Sequence, residues 1–479
     1  MATGSSNISQ RIMKAMGLFG GVQAVGVICS IVRTKLVALW MGDVGMGLFG
    51  LFNQALEMIN TGTNLSIRQS SVRDVSQAVQ HNDDKLIARI ITVVRRWSLW
   101  LGLAGALLTM AFAPLLSEVT FGDSAHIWGF VALSAAVLLM AVTNGEYAVF
   151  QGLAKLRRLA RVTMFGTLSG LAISIPLFYF FRLDSVVPSI VAYAASAAFF
   201  ALVLKNKEYQ PARISNKETV ALGKDFVRLG VYMTIGNFVT MLAAYVFNAW
   251  LNLHAGTGEV GLYQAGYTLV NKYVGLVLAA LGMEYYPRLA RVAHSKMRLR
   301  VFVSQEINIS MMVMMPIVAI FILLRTQVVD LLYTENFRVI VTFISLGMAG
   351  TVLRTLSWCI AFVILAKGSG KVYLFTETLS AVTGLALNIV CYMQWGLTGL
   401  GASYVAWYFI YTLVVAIVFY RVFKLRLAKG CLLSIVATLA AAALMVLLME
   451  NGWWIMGLIF TVLSAAVALW QMKKMWQRR

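Results

Sequence analysis

An all-α protein threaded many times through a membrane is the fold class that three observations predict. Hydrophobic residues make up 60% of the 479 and charged residues only 12%, at a mean hydropathy of +0.79. No soluble chain of this size is so apolar. The apolar residues form continuous runs of ~20, the length at which a helix crosses hydrocarbon, rather than the alternating ten-residue segments of a barrel. Finally, Lys and Arg are unevenly placed. All but seven of the 40 (Arg33, Lys35, Arg182, Lys272, Arg325, Arg338 and Arg354) fall in every second connection or at the ends. That asymmetry places both termini in the cytoplasm and absorbs most of the net charge of +21, leaving no excess for nucleic-acid binding.

Taken in order, fourteen spans are expected, at about 14–39, 44–66, 95–116, 127–150, 162–181, 186–204, 229–252, 260–283, 307–325, 339–362, 371–394, 397–420, 431–449 and 453–472. The opening MATGSSNISQRIMKAM has no short apolar stretch followed by small residues, so no cleaved leader is expected. Between spans two and three, 69–96 carries Val72, Val75, Val79, Leu86 and Ile90 at roughly helical spacing, predicting an amphipathic helix on the membrane surface; a solvated loop is the alternative. The polar, Pro211-containing 205–228 reads as a cytoplasmic linker between halves 1–204 and 229–425, with 426–479 supplying two further helices and a tail. An even number of spans per half gives both the same orientation. A weak repeat agrees. GMGLFGLFNQAL (45–56) aligns with EVGLYQAGYTLV (259–270) at an offset of 214, and FQGLAKL (150–156) with LAKGSGK (365–371) at 215.

The eighth span organises the functional expectation. Gln264, Thr268, Asn271 and Lys272 give it one polar face, with Lys272 ~18 Å deep, where a lone ammonium is costly unless it meets a wet cavity or a partner. The second span has a matching stripe, Asn53, Glu57, Asn60 and Asn64, with Glu57 at similar depth. Lining a cargo path and forming a Glu57–Lys272 ion pair that holds the halves together are both open readings. Arg354 lies ~21 Å into the tenth span, where its guanidinium fork suits phosphate or a structural carboxylate. Arg33 and Lys35, in the outer half of span one, can snorkel to the surface; Arg33 better shares a face with Gln23, Gly26 and Ser30. Span eleven carries Glu377, Ser380, Gly384 and Asn388 on one stripe. Asp43 and Glu259, just before spans two and eight, complement helix N-termini, and Glu146 near an inner end reads as an interfacial residue.

Catalytic signatures are missing. The histidines (His81, His126, His254, His294) fall in expected loops, with no HExxH, GxSxG or phosphate-binding loop, and the four cysteines lie in apolar runs without ligand spacing. No cofactor or metal is expected and the chain is not read as an enzyme. Energy must come from a proton or sodium gradient, or from the cargo's own.

The stretches RTKLVALWMGDVGMGLFGLFNQ (33–54), EVGLYQAGYTLVNKYVGLVLAALGMEYYPRLARV (259–292), FVILAKGSGKVYLFTETLS (362–380) and GLTGLGASYVAWYFIYT (396–412) resemble the Wzx-type lipid-linked oligosaccharide flippases. These belong to the multidrug/oligosaccharidyl-lipid/polysaccharide (MOP) exporter superfamily. The resemblance implies two pseudo-symmetric six-helix bundles around a central cavity, with two extra C-terminal helices. It implies alternating access in the bacterial inner membrane, an undecaprenyl-pyrophosphate-linked glycan as cargo (an O-antigen, common-antigen or exopolysaccharide unit), polymerase machinery as a partner and function as a monomer. Lys35 matches the family's basic position in the first span, and Lys272 and Arg354 lie in cavity-lining spans. The expected roles are therefore Lys272, Arg354, Arg33 and Lys35 on pyrophosphate, Glu57 and Glu377 on the coupling ion, and Asn53, Asn60, Asn64, Gln264, Thr268, Asn271 and Asn388 on the cavity face. The rival readings are a multidrug antiporter, which would favour acidic cavity residues, a peptidoglycan-precursor flippase, and a membrane polymerase or ligase, which would need a large outer loop.

Overall fold

The computed structural model describes residues 3–80, 83–292, 295–367 and 369–476, so His81 and His294 lie outside the described residues. All regular structure among them is helical. In chain order the helices are α1 (Thr3–Thr63), α2 (Ile67–Gln80), α3 (Asp84–Ala111), α4 (Ala113–Phe121), α5 (Ile127–Gly152), α6 (Leu156–Phe181), α7 (Val186–Val203), α8 (Asn216–Ala255), α9 (Thr257–Tyr267), α10 (Tyr273–Val292), α11 (Lys296–Leu323), α12 (Arg325–Leu332), α13 (Val341–Ala366), α14 (Gly370–Ile417), α15 (Lys429–Glu450) and α16 (Trp454–Trp476). Among the described residues nine stretches are long and apolar enough to cross a membrane. Three of them, Gly21–Thr63, Leu156–Val203 and Gly370–Val422, each hold two of the expected spans. Large apolar side chains stand exposed along these helices, among them Trp128, Phe180 and Leu433, as lipid contact requires. The chain is a multi-pass membrane protein.

The joints between paired spans are set by backbone geometry. Gly42, inside α1, takes φ 66°, ψ −158°, and Gly256, between α8 and α9, takes φ 89°, ψ 166°. Arg182, between α6 and α7, takes φ 43°, ψ −122°, and Gly396, inside α14, takes φ 58°, ψ −142°. Each pair is 214 residues apart, the offset of the sequence repeat, so the pseudo-symmetry is written in the backbone as well. This region is open to glycine and strained for any residue with a Cβ. No atom lies within 4 Å of a Cβ built on Gly42, so Gly42→Ala should cost only the backbone term, about 1–3 kcal/mol. Arg182→Gly should raise stability, and thermal unfolding of both variants in detergent checks the pair.

The described residues form two compact units, Met1–Gly261 and Leu262–Arg479. The sequence instead placed the linker 205–228 between halves. The difference arises because α8, the helix after that linker, packs on the first unit. Asn252 donates to the Thr120 carbonyl at 2.8 Å, Ser66 and Thr234 share a hydroxyl hydrogen bond at 3.1 Å, and Trp97 Nε1 donates to the Thr219 carbonyl at 3.2 Å. The linker is pinned as well: Arg96 donates to the Ile214 carbonyl at 2.8 Å, and the Ala212 amide donates to Thr92 Oγ1 at 3.0 Å.

Of the amphipathic stretch, α2 and the start of α3 are helical, but α2 does not present its apolar face to lipid. Ile67, Val75 and Ala78 are buried against Ile90, Ala148 and Val149, so protein covers its apolar face. Leu86 and Ile90 belong to α3, which starts at Asp84 under an Asp83 cap whose carboxylate accepts from the Lys85 amide at 2.9 Å. Pro114 sits in the first turn of α4, where its missing N–H costs nothing. His254 lies in the last turn of α8 rather than in a loop, paired with the Trp250 carbonyl. In the second unit α13 packs on α14, and α15 and α16 pack on α11. All four cysteines are buried and unbridged.

Candidate functional site

The polar face of the eighth span coincides with a break in regular helix. Between α9 and α10, Thr268–Lys272 winds as a π-turn, whose wider spacing lets Asn271 and Lys272 both depart from the regular register. The Asn271 carbonyl accepts a hydrogen bond from Arg354 of α13 at 3.1 Å. The same guanidinium nitrogen contacts the Tyr404 hydroxyl at 3.4 Å, and the guanidinium carbon lies 6.0 Å from the Tyr408 ring. Tyr267 is also within electrostatic reach, whereas no described carboxylate pairs with this arginine. Gly275 keeps the space beside the second terminal nitrogen open, since even a Cβ there would stand 3.8 Å away. The Asn271 side-chain oxygen is buried without a described partner. Thr268 and Gln264 are half-buried one and two turns before it, respectively, and Lys272 is exposed at the end of the π-turn. The result is a cation in an aromatic, hydroxyl-bearing surround, suited to a phosphorylated sugar head group: charge and fork for phosphate, ring faces for the saccharide.

The stripe on span eleven has another use. Glu377 accepts from the Tyr411 hydroxyl at 2.6 Å, Ser380 accepts from the Trp407 indole at 3.0 Å, and the Asn388 amide oxygen accepts from Ser403 at 2.6 Å. Gly384 lets the Trp407 ring approach. These contacts join the two halves of α14, so Glu377 and Asn388 face their own hairpin partner.

In the first unit Arg33 stacks between Phe49 (4.9 Å) and Tyr193 (4.6 Å), with Glu57 contributing to its field. It is half-buried, as is Lys35, while Glu57 is exposed. Asn53 turns back on its own helix, donating to the Phe49 carbonyl at 2.7 Å. Asn60 and Asn64 each carry a buried side-chain oxygen without a described partner. Asp43 accepts from the Val44 amide at 3.0 Å, and Glu259 stands in the first turn of α9, both matching the helix-start expectation. Glu146 is no interfacial residue. It is buried and held by Arg95 through two bonds, at 2.6 and 3.0 Å. Among the described residues no cluster of His, Cys, Asp and Glu could hold a metal.

The aromatic partners were missed from sequence. Tyr267 lies a helical turn from Asn271, and Tyr404 and Tyr408 lie one turn apart in a span read only as apolar. The available signal was three tyrosines in spans eight and twelve, deeper than an interfacial belt.

Helical repeats joined at equivalent backbone breaks, each with an arginine set among aromatic rings, give a fold shared with solved membrane proteins. The lipid II flippase MurJ in its inward closed conformation superposes at TM-score 0.72, with 12% identity over 95% of this chain and 99% of that one. An inward-facing multidrug transporter of the MOP superfamily gives 0.68, with 14% identity over 86% and 95%. In sequence the chain is 22% identical to the lipid III flippase of Escherichia coli over 397 residues, 79% of this chain and 90% of that protein. Residues 74–342 match the family described as polysaccharide biosynthesis protein, and the chain belongs to that family.

Proposed function

We propose that the protein flips an undecaprenyl-pyrophosphate-linked oligosaccharide from the inner to the outer leaflet of a bacterial inner membrane. Its termini lie in the cytoplasm, and a proton or sodium gradient resets it as a monomer. The observation that carries the reading is Arg354. It is a permanent cation far into a span, held by a backbone carbonyl and the Tyr404 hydroxyl, with no carboxylate paired to it among the described residues, so an anion is the partner that fits the site. A diphosphate bearing sugars cannot cross ~30 Å of hydrocarbon unaided, whereas its prenyl tail remains in lipid while the protein exposes the head group to each side in turn by alternating access. Lys272 in the second unit and Arg33 and Lys35 in the first are further cations proposed for the pyrophosphate, and Glu57, exposed and within the field of Arg33, takes the coupling ion. The kinship with a lipid III flippase supports a glycan-lipid cargo.

Proteoliposomes holding the purified chain test it. Lipid-linked oligosaccharide should become accessible to an impermeant glycosidase on the far side, and an organic cation should not be transported. Transport of the cation alone would overturn the reading, and movement of lipid II in preference would assign the peptidoglycan precursor instead. Lys272→Ala should abolish display of the finished polysaccharide while the chain remains at normal abundance in the membrane; normal display would remove Lys272 from the path.

A further inference from the structure

Five cations of the second unit converge on one hollow. A cavity of about 650 Å³ is lined by Lys296 and Arg300 of α11 and by Arg421, Lys424 and Arg426, which follow the end of α14. No carboxylate is among its described lining residues, and none of the five cations makes a described salt bridge. Positive charge is expected in cytoplasmic connections, but that rule asks only for charge, not for convergence on one hollow. Two local features oppose such convergence. The first turns of α11 carry Lys296, Arg298 and Arg300 and no acidic residue in the first turn, the wrong sign for a helix N-terminus. Lys424 is held at φ 52°, a strained conformation for a residue with a side chain.

The first unit offers a comparison, a cation-lined cavity that protein closes. A cavity after α7 is lined by Arg158, Arg161, Lys205 and Lys207, and here Glu208 is part of the wall. Lys155 and Arg158 both pair with Glu208, and the bond from Lys155 holds that carboxyl below the ordinary carboxylate range. At the repeat offset of 214, Lys207 corresponds to Arg421, and Glu208 to Val422. The cation is kept, and the carboxylate is replaced by an exposed valine. Met297 (71% exposed) and Tyr420 (50%) line the unit-two hollow, and Val422 (54%), next in sequence to Arg421, also presents apolar surface. Cations flanked by exposed apolar side chains at the end of a membrane helix match a molecule with a phosphate at one end and acyl chains at the other.

We infer that this hollow binds the head group of an anionic phospholipid of the cytoplasmic leaflet, with its chains lying over Met297 and Val422. Nothing in this assignment depends on which cargo the protein moves. Each basic side chain near such a surface changes affinity about fivefold.

The test uses the full chain in neutral detergent, following its unfolding temperature while phosphatidylglycerol or phosphatidylcholine is titrated in, with inorganic pyrophosphate in a parallel arm. Phosphatidylglycerol should stabilise the protein at concentrations where phosphatidylcholine and pyrophosphate do not. Lys424→Gly relieves the backbone strain while removing one cation, so it should keep or raise the basal unfolding temperature and weaken the lipid response about fivefold. Arg421→Gln with Arg426→Gln should nearly abolish the response, whereas Lys205→Gln with Lys207→Gln, an equal charge loss in the first unit, should leave it unchanged. Equal loss in both double variants would reduce the effect to bulk charge and overturn the site. Equal stabilisation by pyrophosphate would overturn the lipid in favour of a free phosphate.

Discussion

Arg354→Ala is expected to lower transport of the lipid-linked glycan by roughly two orders of magnitude while the protein remains in the membrane. The guanidinium is tethered through one terminal nitrogen, to the Asn271 carbonyl and the Tyr404 hydroxyl, and the second faces the space kept by Gly275. A charge-assisted bond to phosphate contributes about 1.5–3 kcal/mol, and a bidentate pair lies at or above the top of that range. Arg354→Lys keeps the charge but loses the fork, so a loss nearer tenfold is expected. The competing account is structural: without Arg354 the π-turn carbonyl lacks its donor and the helix joint loosens. That account predicts lower membrane abundance with unchanged transport per molecule. Measuring both quantities on the same membranes separates the two, and full transport per molecule in Arg354→Ala would end the pyrophosphate assignment.

The legible part of this protein is the part set by periodicity and depth. Unbroken apolar runs define helices because lipid leaves no other way to satisfy the backbone. The 214-residue repeat was visible as a faint alignment, and the matched positive-φ joints at Gly42, Gly256, Arg182 and Gly396 give it a physical basis. Depth alone also pointed to Arg354 and to the face containing Asn271. What depth cannot supply is the partner. Glu377 and Asn388 had the same periodic signature as a cavity stripe, yet they pair with Tyr411 and Ser403, since a hairpin mate within one bundle attracts polar groups as readily as a water-filled path does. The tyrosines around Arg354 were lost for the converse reason: an aromatic side chain in an apolar run carries no mark of whether its hydroxyl is used. The buried face of α2 was likewise hidden, because an amphipathic pattern specifies that something apolar covers it, not whether lipid or protein does so.

The largest effect on stability is expected at a pair that sequence order conceals, Arg95 and Glu146, 51 residues apart. Arg95 reaches Glu146 from α3 to α5 with Nε at 2.6 Å and a terminal nitrogen at 3.0 Å, and that terminal nitrogen also approaches the Asn206 carbonyl of the linker at 3.4 Å. Glu146 is only 3% exposed, so its charge has little water to fall back on. Arg95→Ala therefore leaves a buried carboxylate alone, a change that costs about 3–5 kcal/mol. Removing the charge from both partners is a different perturbation. Replacing both by apolar residues, Arg95→Met with Glu146→Leu, should recover most of the loss, because the desolvation penalty vanishes with the pair. Unfolding temperature in detergent and abundance in the membrane should both fall sharply for Arg95→Ala and return in the double variant. If the single and double variants are equally unstable, the linker contact to Asn206 rather than the ion pair carries the stabilisation, and Glu146→Gln, which leaves Arg95 free to hold the linker, should then be nearly neutral.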